Sequence, residues 1–144
     1  MSEDSIRVVR EIYEAFEQGD MDGVFGRLDE DIDWREPDGY FVAAGGVRGH
    51  AAVQGALARY PEVWEQFSLD PETFLDAGEH VVVLGRQSGV ARATGREFSG
   101  RFANVWLVQG GKARAFEAFA DTGLIWKAFD AQPPGPAGAG EGAS

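Results

Sequence analysis

The sequence contains no cysteine and only two histidines among its 144 residues. Without cysteine, the chain can form no disulfide bond and can perform no thiolate chemistry. Two histidines without cysteine also disfavour a structural zinc site. No run of about 18 residues is apolar, as a membrane-spanning helix would require. We therefore expect neither a metal site nor a membrane segment.

Positive charge is scarce. The chain has 13 Lys and Arg against 24 Asp and Glu, which gives a formal net charge of −11. Such a chain repels phosphate backbones, and its basic residues are scattered rather than clustered, so we expect no nucleic-acid partner. The opening letters, MSEDSIRVV, lack the cationic and apolar regions of a signal peptide. The expected location is therefore the cytoplasm.

The composition predicts one globular domain followed by a tail. With 44% hydrophobic residues, the chain can bury a substantial core. We place the domain at residues 1–130. Residues 131–144, which include the letters QPPGPAGAGEGAS, are rich in Pro, Gly and Ala and are expected to be disordered.

Helical periodicity dominates the first half of the chain. Residues 6–18 place apolar side chains at helical spacing, and Asp20 can cap a short second helix. Residues 49–67 are interpreted as a third helix, which Pro61 should bend or restart. Asp121 can cap a closing helix near the end of the domain.

The second half predicts strands. Residues 72–92 hold two extended runs around a turn, and residues 97–108 and 112–120 form a hairpin around a Gly-Gly turn. Residues 32–42 also look extended. Helices followed by antiparallel strands indicate an α+β fold. A curved sheet with helices across its concave face would enclose a pocket.

The last hairpin is apolar on both sides. One side is predicted from strand alternation to carry Phe102, Asn104, Trp106, Phe116, Ala118 and Ala120. The other side carries Val105, Leu107 and Phe119. Since both faces of such a sheet must be covered, we expect the helices on one face and a second subunit on the other.

Two stretches resemble a known superfamily. Residues 13–39, YEAFEQGDMDGVFGRLDEDIDWREPDG, and residues 95–122, GREFSGRFANVWLVQGGKARAFEAFADT, resemble the NTF2-like superfamily, in particular its SnoaL-like and ketosteroid-isomerase-like branches. The likeness spans residues 5–129. It implies a cone in which three to four helices pack on a curved antiparallel sheet and enclose a pocket.

The resemblance implies three catalytic positions. In ketosteroid isomerases the general base lies in an acid-Pro-x-Gly segment after the second helix, and Glu36 in the letters EPDG occupies that place. Asn104 matches the position of the acid that stabilises the oxyanion. The family's tyrosine lies on the first helix, where Tyr13 is one residue from the matching position. Trp34 and Tyr40 could supply an apolar environment that raises the pKa of the Glu36 carboxyl.

Each of these positions has a structural alternative. Glu36 could be a loop carboxylate paired with an arginine. Asn104, an unusual residue in an apolar strand, could be satisfied by a neighbouring side chain or by water. Tyr13 could be a core residue of its helix with the hydroxyl at the rim.

Other mechanisms in the superfamily transfer less well. SnoaL-like polyketide cyclases use an acid on the last strand, and epoxide-hydrolase-like members use an Asp–Arg–Asp set. Here the inward position on that strand is Ala118, while Glu117 should point outward and Asp121 should lie at the strand's end. The aromatic and small residues expected to contact a ligand are Trp34, Tyr40, Trp64, Phe102, Trp106, Phe116 and Ala118.

Two functional hypotheses follow. The first is a cofactor-independent isomerase or cyclase that moves a proton next to a carbonyl of a small apolar, polyketide-like or steroid-like cyclic molecule. The second is a non-catalytic protein that binds or carries such a ligand, or a dimeric accessory domain. A homodimer formed through the outer face of the sheet is a separate prediction.

Overall fold

The computed structural model describes residues 2–40 and 45–130. Within these ranges the helices are α1 (Ser2–Gln18), α2 (Met21–Gly26), α3 (His50–Ala58), α4 (Tyr60–Val63) and α5 (Thr122–Ala128). The strands are β1 (Leu28–Arg35), β2 (Val47–Arg48), β3 (Trp64–Ala77), β4 (His80–Ala91), β5 (Glu97–Gln109) and β6 (Lys112–Ala120). The proposed tail at residues 131–144 and the end of the extended segment predicted at residues 32–42 lie outside the described residues.

The helix ends follow the local chemistry of the sequence. Gly19 has a φ of +71°, a conformation that favours glycine, and it follows the last residue of α1. The Asp20 carboxylate accepts a hydrogen bond from the backbone N–H of Gly23 and caps α2. The Asp121 carboxylate accepts one from the backbone N–H of Leu124 and caps α5. Both predicted caps are confirmed.

The third predicted helix is wrong at its C-terminal end. The helical segment ends at Val63, and Trp64 already has extended angles (φ −110°, ψ 128°). Residues 64–67 belong to β3 and pair with the end of β4, with Trp64 opposite Ala91. Their apolar spacing fits a helix as well as a strand, and sheet pairing with a distant segment decides between them.

The six strands form a single sheet in the order β2-β1-β6-β5-β4-β3. Every pair is antiparallel except β1 and β6, which run parallel. Register irregularities in β3 near Trp64 and Pro71 bend and twist this edge strand. The α+β fold is confirmed, with five helices in residues 2–40 and 45–130 rather than three to four.

The helices cover one face of the curved sheet and leave the other face exposed. The main core joins α1 to the inward side chains of the sheet, where Val9, Ile12, Val83 and Trp106 are almost fully buried. On the opposite face, Phe119 is 50% exposed. In the part of the chain that the structure describes, no helix is both long and apolar enough to cross a membrane.

Candidate functional site

A cavity of about 400 Å³ lies between the helices and the concave face of the sheet. Its lining residues come from every layer of the fold: Tyr13, Phe16, Met21, Trp34, Glu36, Leu57, Tyr60, Pro61, Trp64, Glu65, Phe67, Leu69, Gln87, Arg92, Asn104, Trp106, Phe116 and Ala118. Glu65 and Arg92 are exposed and mark where the cavity meets solvent. This volume matches that of small-molecule sites, which are mainly apolar with a few convergent polar groups.

Glu36 is a buried carboxylate at this cavity. Its side chain is only 5% exposed. The indole N–H of Trp34 donates to Oε2 over 2.8 Å, and the hydroxyl of Tyr60 donates to Oε1 over 3.2 Å. Burial raises the pKa of Glu36 to about 7, and the two hydrogen bonds oppose part of that rise. The carboxyl group can therefore accept and release a proton near neutral pH.

Two further aromatic residues, Trp64 and Tyr40, lie beside Tyr60 near Glu36. The indole N–H of Trp64, which can only donate, reaches the Tyr40 hydroxyl over 2.9 Å. The rings of Tyr40 and Tyr60 are neighbours, with centroids 6.1 Å apart. Burial raises the pKa of both tyrosines, so both remain neutral donors.

Tyr13 forms the second polar group of the cavity. Its hydroxyl oxygen accepts hydrogen bonds from Asn104 Nδ2 at 2.8 Å and from Trp106 Nε1 at 3.1 Å. Burial is the largest cause that raises the pKa of Tyr13 to about 12, and the charge of Glu36 adds to the rise. Because the oxygen already accepts two bonds, the phenol proton is left to donate to a molecule in the cavity.

The structure brings the three expected catalytic residues, Glu36, Asn104 and Tyr13, to one cavity. It changes the relation between two of them. One N–H of the Asn104 amide is committed to the Tyr13 hydroxyl, so Tyr13 is the better placed donor to a ligand and Asn104 holds it. Ala118 lines the cavity and Glu117 is exposed, as the strand pattern indicates.

Most of the expected ligand-contact residues line the cavity, namely Trp34, Trp64, Trp106, Phe116 and Ala118. Tyr40 and Phe102 do not. They border a neighbouring space of about 20 Å³, which shares Glu36 and Asn104 with the main cavity. The hydroxyl of Tyr40 accepts a hydrogen bond from the indole N–H of Trp64 there.

Sequence reasoning missed two polar residues of the site. The predicted helix at residues 49–67 includes Tyr60, but no local pattern indicates that its hydroxyl contacts Glu36. Gln87 is buried on β4 and lines both spaces. Strand alternation in VVVLGRQSGV could have placed it on the inner face. Across the described residues, no three His, Asp or Glu side chains are grouped so that they could hold a metal ion.

Known structures with the same fold are similar along nearly the whole chain. The NTF2-like protein of unknown function from Burkholderia pseudomallei is 34% identical, with a TM-score of 0.82 over 89% of this chain and 98% of its own. The NTF2-like protein from Burkholderia thailandensis is 32% identical, with a TM-score of 0.82 over 87% and 96%. TerC, crystallised with polyporic acid, is 26% identical, with a TM-score of 0.82 over 89% and 99%.

These likenesses place the fold in the NTF2-like class. Within that class, the sequence profile of the SnoaL-like domain matches residues 9–116. The chain therefore belongs to the SnoaL-like family. No curated protein is significantly similar to it.

Proposed function

We propose that this protein is a cofactor-independent enzyme that moves a proton next to a carbonyl of a small, apolar, cyclic ligand. The observation that supports this most is the arrangement of Glu36 and Tyr13. A carboxyl whose pKa burial raises to about 7 and a phenol with a free proton line the same cavity. They are close enough that the charge of Glu36 acts on the pKa of Tyr13.

The proposed reaction uses these two groups in turn. The Glu36 carboxylate takes a proton from the carbon beside the carbonyl, and the electron pair moves onto the carbonyl oxygen. Tyr13 donates a hydrogen bond to that developing oxyanion, polarised by Asn104 and Trp106. Return of the proton to another carbon isomerises the ligand, and attack of the enolate on a second carbonyl would give an aldol-type ring closure.

The ligand class is proposed from the cavity. Aromatic and aliphatic side chains form most of its lining, so a compact ring system fits better than a polar metabolite. That TerC, a protein of the same fold and 26% identical, was crystallised with polyporic acid supports a small-molecule ligand for this chain as well.

The alternative is a protein that binds such a ligand without transforming it. Ala118 lines the cavity on the last strand, where the resemblance to SnoaL-like cyclases would call for an acid. Binding without chemistry therefore remains a distinct second proposal.

Deuterium exchange separates the two proposals. The protein is incubated in deuterated buffer with β,γ-unsaturated ketones of several ring sizes, including a cyclohexenone, β-tetralone and a steroid ketone. The enzyme proposal expects catalysed exchange at the α-carbon that is lost in Glu36→Gln and kept in the matched control Glu117→Gln, which changes an exposed carboxylate. Binding of these ketones without catalysed exchange would favour the carrier.

We also propose a homodimer formed through the outer face of the sheet. An apolar patch there, the outer patch, consists of Val82, Leu84, Val105, Leu107 and Phe119. Its members are adjacent across β4, β5 and β6, since Val82 pairs with Val105 and Ala103 lies between Leu84 and Phe119. A contiguous apolar patch of this kind is typical of an interaction surface.

A further inference from the structure

Gln87 is a buried residue whose side-chain amide has no hydrogen-bond partner in the described part of the chain. It lies on β4, points to the concave side of the sheet and is only 9% exposed. Its side chain borders both the main cavity and the smaller neighbouring space. Among residues 2–40 and 45–130, no group forms a hydrogen bond with the Gln87 side-chain amide. The other two buried polar residues at the cavity, Glu36 and Asn104, both have such partners.

The surroundings of Gln87 offer nothing polar from the same strand. The neighbouring inward positions on β4 are Gly85 and Gly89. An added Cβ would meet the Asp70 backbone carbonyl and Phe102 Cζ at Gly85, and Trp64 Cε3 and the Gln66 backbone carbonyl at Gly89. The backbone of β3 and the rings of Phe102 and Trp64 thus fill both neighbouring positions and leave Gln87 as the side chain of this strand that faces the cavity.

The Gln87 amide is suited to recognition. Among the described residues, no fully buried side-chain nitrogen or oxygen lacks a hydrogen bond, so the amide atoms of Gln87 are open to the cavity, where a ligand can reach them. The amide can both donate and accept, and it brings no charge into an apolar site. A site built to bind a ligand hydroxyl or carbonyl discriminates strongly against the analogue that lacks it.

We propose that Gln87 is a specificity-determining residue that binds a second oxygen substituent of the ligand, a hydroxyl or a carbonyl. This oxygen is separate from the carbonyl that Tyr13 is proposed to hold. The ligand class is thus narrowed to ring systems with two oxygen functions. The inference rests on the proposed function only in that the cavity takes a small cyclic ligand, and it does not require proton transfer.

Matched ligand pairs test this proposal. Each pair consists of a one-oxygen probe and a two-oxygen probe. In the first set, a monohydroxynaphthalene is compared with each dihydroxynaphthalene isomer. In the second, the estrone analogue that lacks the ketone is compared with estrone. Binding is followed by the fluorescence of the tryptophans that line the cavity. The variant Gln87→Met keeps the shape of the side chain and removes its amide. The matched control is Gln66→Met, at an exposed position on β3.

The wild type should bind at least one two-oxygen probe about tenfold more tightly than its one-oxygen partner, as expected for one hydrogen bond. Gln87→Met should abolish that preference and leave the affinity for the one-oxygen probe within about twofold. Gln66→Met should keep the preference. The proposal is overturned if no probe pair shows a preference in the wild type, or if Gln87→Met retains it or weakens both probes equally.

A measurement without ligand excludes a structural role. Because the amide has no hydrogen-bond partner in the described part of the chain, the thermal midpoint of Gln87→Met should equal or exceed that of the wild type. A fall of more than about 5 °C would mean that the amide supports the fold, and would overturn the proposal. The two proposals can fail separately. If the wild type catalyses no deuterium exchange but still prefers the two-oxygen probe through Gln87, proton transfer is rejected and the Gln87 proposal stands.

Discussion

The indole nitrogen of Trp34 donates a hydrogen bond to the carboxylate of Glu36 over 2.8 Å. The two residues are separated by one position, so strand alternation directs both side chains to the same face. The Trp34 ring is itself fixed by Phe116, with centroids 4.1 Å apart, and by Trp106 at 5.9 Å. The letters WRE therefore place a buried carboxylate and its donor together within one short segment.

The first prediction concerns stability against pH. The pKa of the Glu36 carboxyl is about 7 in the folded protein, against an ordinary value of 4.5 when the group is exposed to water, as in the unfolded chain. The folded state therefore binds more protons than the unfolded state between these values, so stability falls as pH rises from about 4.5 through 7. Since one pKa unit is about 1.4 kcal/mol, the full effect is roughly 3 kcal/mol. Glu36→Gln should lack this contribution when urea unfolding is measured at several pH values.

The comparison must separate Glu36 from the other acids of the chain. Glu117→Gln removes an exposed carboxylate and should follow the wild-type curve closely. Equal pH dependence in Glu36→Gln and the wild type would show that the Glu36 carboxyl is not perturbed in the folded state.

The second prediction concerns Tyr60. Its hydroxyl stabilises the charged form of Glu36 through the 3.2 Å hydrogen bond, so Tyr60→Phe should raise the pKa of Glu36 above about 7. Carbon NMR of the labelled carboxyl group, followed against pH, measures this directly. Tyr40→Phe is the matched control and should change the pKa of Glu36 less, because the hydrogen bonds to Glu36 come from Trp34 and Tyr60. An unchanged or lower pKa in Tyr60→Phe would contradict the arrangement.

Local chemistry in the sequence was enough to predict several elements. Asp20 and Asp121 cap helices because a short carboxylate can reach a backbone N–H three residues on. Alternation along β5 placed Asn104 and Trp106 on the inner face because the side-chain period of a strand is fixed. The position of Glu36 came from the resemblance, and its burial agrees with the aromatic residue two positions before it.

Long-range pairing accounts for what was missed. The local sequence predicts a helix at Trp64, but this residue pairs with Ala91 on a strand far along the chain, which no local pattern can show. The interactions of Tyr60 and Tyr13 were also invisible, since both depend on side chains from other elements meeting across the cavity. That Gln87 has no hydrogen-bond partner within residues 2–40 and 45–130 is likewise a property of the packed structure, which no local pattern contains.

The third prediction ranks two residues of the proposed oxyanion site. Tyr13→Phe removes the donor itself and should lower the rate of α-carbon exchange by roughly 10²- to 10³-fold, the usual cost of losing such a donor. Asn104→Ala should cost about tenfold, because Trp106 still holds the Tyr13 hydroxyl at 3.1 Å. The kcat for exchange and the affinity for ketone are measured separately. A larger loss of kcat in Asn104→Ala than in Tyr13→Phe would assign the donor role to the amide.

The fourth prediction concerns the outer patch. Phe119 is 50% exposed and lies at its edge on β6, so Phe119→Glu places a charge where a second subunit would pack. A buried charge without a partner is strongly unfavourable, and the variant should therefore be a monomer. Light scattering at micromolar concentration should give the wild type twice the 15.6 kDa mass of one chain.

A matched control separates the outer patch from exposed apolar surface in general. Leu124 is 42% exposed but lies on α5 beside Gly100 of β5, outside the outer patch, so Leu124→Glu should stay dimeric. Phe119 does not line the cavity, so the Phe119→Glu monomer should keep the ligand binding of the wild type. A wild type that is monomeric under these conditions, or a Phe119→Glu protein that stays dimeric, would mean that the outer patch does not join two copies of the chain.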